Sequence, residues 1–231
     1  MRINLNKIKM GIVRDILQAF KKKEDVKTTF TKIYQKNLWG GKADGKYNSG
    51  SGSAESVAFN FVNVANQYIK GQNISSIVDL GCGDFRVGSK LITPQIKKYT
   101  GVDVVQELVD YNNEQFSSET IAFKCINIIE DPLPEGDLCI IRQVLQHLSN
   151  EQIITILNKI QKFKYVLICD HIPGGDFVPN KDLGHGSDIR LKKNSGLLFD
   201  QPPFSQNLRV IDTFVLKDFG DGTSKLLTWV K

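Results

Sequence analysis

No two of the four cysteines, Cys82, Cys125, Cys139 and Cys169, form a Cys-x-x-Cys pair. Each falls in or beside an apolar run of strand character, the pattern of buried thiols in a reducing compartment, which argues against a disulfide framework or a zinc site. No apolar run reaches the roughly 18 residues of a membrane span, and the N-terminus lacks an unbroken apolar core with a cleavage site, so a cytoplasmic protein is expected. Charge is also missing where a nucleic-acid enzyme needs it. Residues 1–27 hold eight Lys or Arg against three acids, a net of +5 that equals the whole chain's, and the other 204 residues carry 22 basic and 22 acidic side chains. A neutral catalytic region has no basic face to neutralise phosphates, so the expected partner is an uncharged acceptor and not a nucleic acid.

What is present begins with Val78 to Asp84, VDLGCGD, where an apolar strand, SSIVDL, runs into two glycines one residue apart with the acid Asp79 just ahead. Gly81 and Gly83 let the backbone turn tightly and come close to a ligand, and the helix expected to follow offers unpaired N–H groups at its start. Asp103 closes a second strand, KYTGVDV, 20 residues after Gly83, where a carboxylate can accept both hydroxyls of a ribose. A dinucleotide fold wants a third glycine to seat a pyrophosphate. Here Arg86 stands at that position, and its bulk would crowd a pyrophosphate, whereas a sulfonium amino acid needs no anion site and suits the nearby Asp79 carboxylate. The expected cofactor is S-adenosylmethionine rather than NAD.

At these residues the chain resembles the class I S-adenosylmethionine-dependent methyltransferases, whose first motif is an acid, any residue, then Gly-x-Gly; the third glycine frequent in that family is Phe85 here. A chain of 231 residues with 41% hydrophobic content is long enough for one well-buried domain. From residue 54 helix and strand patterns alternate: a helix at roughly 54–70, then strands near 76–80, 99–104, 121–126, 138–142 and 164–170, which implies a parallel sheet covered on both faces. The final stretch, LRVIDTFVLKDFGDGTSKLLTWVK, reads as two strands joined at Gly220 to Gly222. Such an antiparallel hairpin on a parallel sheet is what the resemblance implies. The fold class is α/β, a Rossmann-like sheet of seven strands with helices on both faces.

Three units are expected along the chain. Residues 1–35 form a basic, amphipathic helical segment, with Leu5, Ile8, Ile12 and Ile16 at helical spacing; it packs on the domain or on a second copy, or is drawn to an anionic membrane surface. Residues 36–53, rich in Gly, Ser and Asn, read as a flexible linker or as a lid over a sugar or cofactor, with Trp39, Tyr47, Ser51 and Ser53 touching the acceptor. Residues 54–231 are the catalytic domain, and its long aperiodic loop, 171–206, is assigned to the acceptor.

Ligands of open α/β sheets sit outside the carboxyl ends of the strands, so polar residues there are the candidates. For the cofactor these are Asp79, Gly81, Gly83, Asp84, Asp103, Arg142 and Gln143. The resemblance adds Asn127 and the Ile128 backbone, facing the adenine. Moving a methyl group onto a hydroxyl requires a proton acceptor, for which His171, His147 and Asp170 compete. In the late loop His185, Asp188 and Arg190 are the acceptor-binding candidates. Strand four lacks the Asn/Asp-Pro-Pro-aromatic run of nucleic-acid nitrogen methylation, and the QPPF of Gln201 to Phe204 lies too late in the chain to replace it, so a structural role is expected there. Carboxylates near strands four and five, Asp170, Asp182 and Asp188 with Asn180, are too few for a metal reading, and none is expected.

LWGG with SGSGS, VDLGCGDF, IRQVLQHLSNEQI, and NKDLGHGSDIRL before QPPF together resemble bacterial and viral methyltransferases of surface-glycan and capsule modification. That resemblance implies an O-methyltransferase acting on a sugar hydroxyl of a polysaccharide or its precursor. An Asp common there is Gln143 here. A small-molecule methyltransferase and a noncatalytic subunit of the same fold stay open as alternatives.

Overall fold

The computed structural model describes residues 24–40, 47–219 and 222–231. Residues 1–23 of the basic amphipathic segment expected over 1–35 lie outside them, as do the middle of the expected lid and the turn of the terminal hairpin. One seven-stranded sheet organises the rest, with strands β1 (Ser76–Leu80), β2 (Lys98–Asp103), β3 (Ile121–Cys125), β4 (Leu138–Arg142), β5 (Tyr165–Pro173), β6 (Arg209–Phe219) and β7 (Gly222–Val230). The spatial order is β3-β2-β1-β4-β5-β7-β6. β1 to β5 run parallel, and β7 pairs antiparallel with both β5 and β6. The helices are α1 (Val26–Gln35), α2 (Glu55–Gly71), α3 (Gln106–Phe116) and α4 (Asn150–Lys159). The expected α/β architecture and its terminal hairpin are both present, but the helix expected after the glycine turn of β1 is only a 3-10 turn, Gly88–Leu91, and β3 reaches β4 without a helix. Among the described residues no helix is long and apolar enough to cross a membrane.

Successive strand residues point to opposite faces, so each central strand feeds two cores. Val78, Leu80, Cys139, Ile141, Val166 and Ile168 join the core beneath α4, whereas Ile77, Leu138, Ile140, Leu167 and Cys169 join Phe61, Ala65 and Ile69 of α2. Central strands buried on both faces explain why their sequences read as continuous apolar runs. Local signals set the starts of α1 and α4. Ser149 caps α4 in a capping box with Gln152, and the Asp25 carboxylate caps α1 by accepting from Thr28 N–H at 2.9 Å. Phe30 and Ile33 on the inner side of α1 are buried, which fixes this helix over the carboxyl edge of the sheet.

The long segment between β5 and β6 has only a short 3-10 turn, Arg190–Lys193, as regular structure. Buried polar side chains hold it in place of a helix. Asn180 donates to the carbonyls of Leu198 and Pro202, both at 2.9 Å, and Phe204 is buried against Phe199, so QPPF serves the loop's architecture. Arg190 is 1% exposed, and its guanidinium donates to the carbonyls of Lys181, Leu145, Gln146 and Leu148 and to the Asn150 amide oxygen. Replacing it would leave several buried carbonyls without donors. Arg190→Met is expected to cost about 3 kcal/mol of stability, read as a lower denaturant midpoint at unchanged slope.

Candidate active site

The β1–β2 turn builds the floor of a cavity at the carboxyl ends of the strands. Gly81 and Gly83 hold positive φ of 80° and 57°. A Cβ on Gly81 would lie 2.4 Å from Val144, and one on Gly83 would lie 2.3 Å from the Ser49 hydroxyl. Phe85, where a third glycine is frequent, also takes a positive φ, 64°. That conformation costs a side-chain-bearing residue about 1 kcal/mol, offset because the ring is buried against Tyr99, Phe116 and Phe123 at centroid distances of 5.1, 5.4 and 4.9 Å. The turn thus follows a glycine path with a phenylalanine in it. Asn112, fully buried on α3, donates to the Gly83 carbonyl at 2.7 Å; its place on a helix face kept this contribution out of the sequence reading.

Asp103 ends β2 beside this turn, accepting from Gly83 N–H at 3.2 Å with one oxygen and from Val105 N–H at 3.1 Å with the other. Burial raises its pKa to about 6, opposed by those backbone donors. Asp79 accepts from the Tyr99 hydroxyl at 2.5 Å, and burial likewise raises it to about 6. Asp84 is turned toward the roof, accepting from Ser49 N–H at 3.0 Å and from the Arg86 guanidinium at 2.6 Å. Arg86 is thereby drawn onto Asp84 and Asn48. Asn127 and Ile128 line the cavity, and the Asn127 amide oxygen accepts from Ile129 N–H at 3.1 Å.

The cavity measures about 310 Å³, within the range of small-molecule sites. Its roof comes from ahead of the sheet in sequence: Val26, Phe30 and Tyr34, spaced along one side of α1, together with Trp39 and Ser49 to Ser53. Ser49 returns the bond from Asp84 by accepting Asp84 N–H at 2.8 Å, and its hydroxyl lies 2.9 Å from that of Tyr34. Trp39 packs on Tyr34 and on His147 at 5.2 and 5.1 Å. Ser51 and Ser53 line the cavity, with the Ser53 hydroxyl donating to the Gly50 carbonyl at 2.7 Å. Tyr47 stands outside the lining, packed on Tyr34 and Tyr111. The apolar spacing of residues 26, 30 and 34 was the available signal for α1, hidden within a segment dominated by its basic charge.

Strand parity sorts the candidates at β4 and β5. Arg142 and His171 lie on the α2 face with Ile140 and Cys169, and both line the cavity, as does Gln143. Asp170 lies on the opposite face with Ile168 and does not reach it. Burial raises the Asp170 pKa to about 8, opposed by the Arg190 charge and then by the Gln146 backbone N–H. Burial lowers both His147 and His171 to about 4, so each imidazole is neutral at neutral pH. His147 Nδ1 donates to the Asp188 carbonyl at 3.2 Å, and His171 Nδ1 lies 3.4 Å from the Gln146 amide oxygen.

The late loop does reach the cavity, but through Ser187, Ile189 and Lys192. The backbone is extended at Ile189, so its neighbours Asp188 and Arg190 turn the other way. None of the three expected acceptor residues, His185, Asp188 and Arg190, is part of the cavity lining. Asp188 is exposed and paired with Lys192 at 2.5 Å, Arg190 is consumed by carbonyls, and His185 bridges Gln152 and the Glu24 carbonyl at 3.1 and 2.8 Å. Among the described residues no group of three or more His, Cys, Asp or Glu side chains comes together as a metal site.

Residues 78–162 match the family profile described as a methyltransferase domain. No curated protein matches the chain. The fold is similar to that of the N-methyltransferase NodS from Bradyrhizobium japonicum, at 14% identity over 77% of this chain and 96% of that one, with a TM-score of 0.55. It is similar also to the magnesium protoporphyrin IX methyltransferase ChlM from Synechocystis, solved with bound S-adenosylmethionine, at 15% identity over 91% of this chain and 99% of that one and a TM-score of 0.55. The cyclase SpnF shares the fold at 16% identity over 80% of this chain and 84% of that one, with a TM-score of 0.51. These identities establish a common fold, and the matched domain establishes a methyltransferase, whose cofactor class is S-adenosylmethionine. The residues fit that group: the glycine turn at the end of β1 lines the cavity, and beside it Asp103 keeps a carboxylate at the tip of β2.

Gly83→Ala is expected to weaken binding of S-adenosylhomocysteine by about tenfold or more while costing about 1 kcal/mol of stability, read by calorimetry and thermal unfolding. Asp170 generates a pH signature. Its raised pKa means the folded chain keeps a proton that the unfolded chain releases, so stability falls as pH rises from 3.8 to about 8. Asp79 and Asp103 act in the same sense but only to about 6. The histidines, lowered from 6.5, act oppositely and only below that value. Between pH 6.5 and 8 the fall belongs to Asp170 among these groups, at no more than about 1.4 kcal/mol per pH unit, and Asp170→Asn is expected to flatten it.

Proposed function

We propose that this S-adenosylmethionine-dependent methyltransferase moves its methyl group onto a sugar hydroxyl of a surface polysaccharide or of its lipid- or nucleotide-linked precursor. The observation that carries the reading is a neutral histidine, His147, set in the cavity wall against Trp39. The chemistry that bound S-adenosylmethionine supplies is an electrophilic methyl carbon, whose bond to sulfur breaks as its bond to the acceptor oxygen forms. The chain's task is to hold the hydroxyl in line and take its proton.

Because His147 Nδ1 donates to a carbonyl, Nε2 carries the lone pair, which makes His147 the proton acceptor in this reading. His171, equally neutral, is the second acceptor in reach of the cavity, and Asp170 has no such role. The rings of Phe30, Tyr34 and Trp39 offer flat apolar surfaces of the kind on which sugar faces stack. The cofactor-binding roles of Asp79, Gly81, Gly83, Asp103, Asn127 and Ile128 belong to the same reading. Asp84 enters it as the residue that holds Ser49 in the roof. The basic residues within 1–27 support recruitment to an anionic membrane surface, where lipid-linked precursors reside, at on the order of 1 kcal/mol per basic side chain. A second reading, a free small molecule as acceptor, is favoured by one feature: α1 and residues 49–53 roof the cavity, which admits a small molecule or a chain end more readily than the interior of a polymer.

Incubation with methyl-labelled cofactor and a panel of glycans, glycan precursors and small alcohols tests the assignment. Label on a sugar oxygen is expected, and label confined to nitrogen of protein or nucleic acid would refute it. The rate is expected to be flat from about pH 6 to 9 and to fall below about pH 5, because protonation removes the acceptor lone pair. His147→Gln is expected to lower kcat about 100-fold with cofactor affinity unchanged.

A further inference from the structure

We infer that Lys159, which stands outside the cavity lining, is a positioning residue that sets the orientation of the Asn127 amide and through it the purine that the cavity accepts. β3 ends at Cys125 and β4 begins at Leu138, with no helix between them. Backbone groups in such a crossover need partners from elsewhere. Lys159, the last residue of α4, supplies them: its ammonium donates to the carbonyls of Ile128 and Ile129 at 2.8 and 3.1 Å and to that of Asp131. Three carbonyls thus meet the three donors that an ammonium has.

A trans peptide is planar, and its C=O and N–H point opposite ways. The peptide that carries the Ile128 carbonyl also carries the Ile129 N–H, which donates to the Asn127 side-chain oxygen at 3.1 Å. The next peptide carries the Glu130 N–H, which donates to the Asn127 carbonyl at 3.1 Å. Two successive peptides are clamped in this way between Lys159 on one side and Asn127 on the other. Asp131 closes the turn, its carboxylate accepting from Asn127 N–H at 2.8 Å. An amide presents either its oxygen or its NH2 by turning over, and the Ile129 N–H, held in place, admits only the oxygen. In the cofactor reading above, on which this inference rests, adenine lies against Asn127 and the Ile128 backbone. The fixed oxygen accepts from a 6-amino group and repels a 6-oxo group, because two acceptors then face each other. Loosening the clamp frees the amide to turn over and offer its NH2 to an oxo group.

Calorimetry on the full chain reads this with S-adenosylhomocysteine and S-inosylhomocysteine, which carries an oxo group in place of the 6-amino group. Wild type is expected to prefer the adenosine compound by about tenfold or more, since the wrong pairing sets two acceptors against each other. Lys159→Met is expected to reduce that preference to about twofold or less, and Lys159→Arg, which keeps a cation with several donors, to hold it within about threefold of wild type. A merely structural role would weaken both compounds by the same factor and leave the ratio untouched. Lys159→Gln, with one amide donor left, carries the test if Lys159→Met does not fold, and an intermediate ratio is then expected. A wild-type ratio in the folded variants that lack the cation would overturn the inference. Wild-type protein that binds both compounds alike overturns the placement of adenine at Asn127, and the inference with it.

Discussion

After β1 the chain turns one way across the sheet to β2 and β3, and β4 and β5 are laid on the other side of β1. Connections that diverge from one point cannot both cover the carboxyl end of the strand between them, so a crevice is left there. Every feature of the site depends on that reversal. It brings Gly81 and Gly83 from the end of β1, Asp103 from β2 and Arg142 from β4 around one space, and the parallel pairing of β1 with both neighbours sets their relative heights. A purely antiparallel meander of the same residues would scatter them over two edges.

The crevice becomes a roofed cavity because sequence ahead of the sheet folds back over it. The bonds that Ser49 and Asp84 exchange join this roof to the glycine turn, and Tyr34 brings α1 into the same contact. The roof touches the turn where a Cβ on Gly83 would collide with Ser49. Tight approach of the floor and closure from above are therefore one requirement, met by a missing side chain. Aromatic rings extend the closure toward the proton acceptor, with Trp39 between Tyr34 and His147.

Of the described residues with side chains that adopt positive φ, Phe85 follows the glycine turn next to the cavity-lining Asp84 and Gln143 lines the cavity itself. Their compensations differ. Phe85 is held by three aromatic neighbours, so its strain is met by packing and preserves the path of the turn. Gln143 ends with an unpartnered amide nitrogen, so packing alone does not account for it.

The order of elements, the parallel sheet with its terminal hairpin and the cofactor turn were legible along the chain, because they rest on short-range signals: apolar runs spaced by helices, and glycines at the end of a strand. The polar residues at the tips of β1, β2 and β4 followed from position alone. Three things were decided only by folding. Parity separated His171 from Asp170 and turned Ser187 and Ile189 inward in place of Asp188 and Arg190, since adjacent residues of extended backbone face opposite ways and nothing local says which way faces the cavity. Arg190, polar enough to suggest a ligand contact, was claimed by carbonyls more than 40 residues earlier that no neighbouring sequence foretells. Residues 26–39 and 49–53 became the roof because their apolar side found the open edge of a sheet that begins only at Ser76, a pairing set by tertiary packing across the chain.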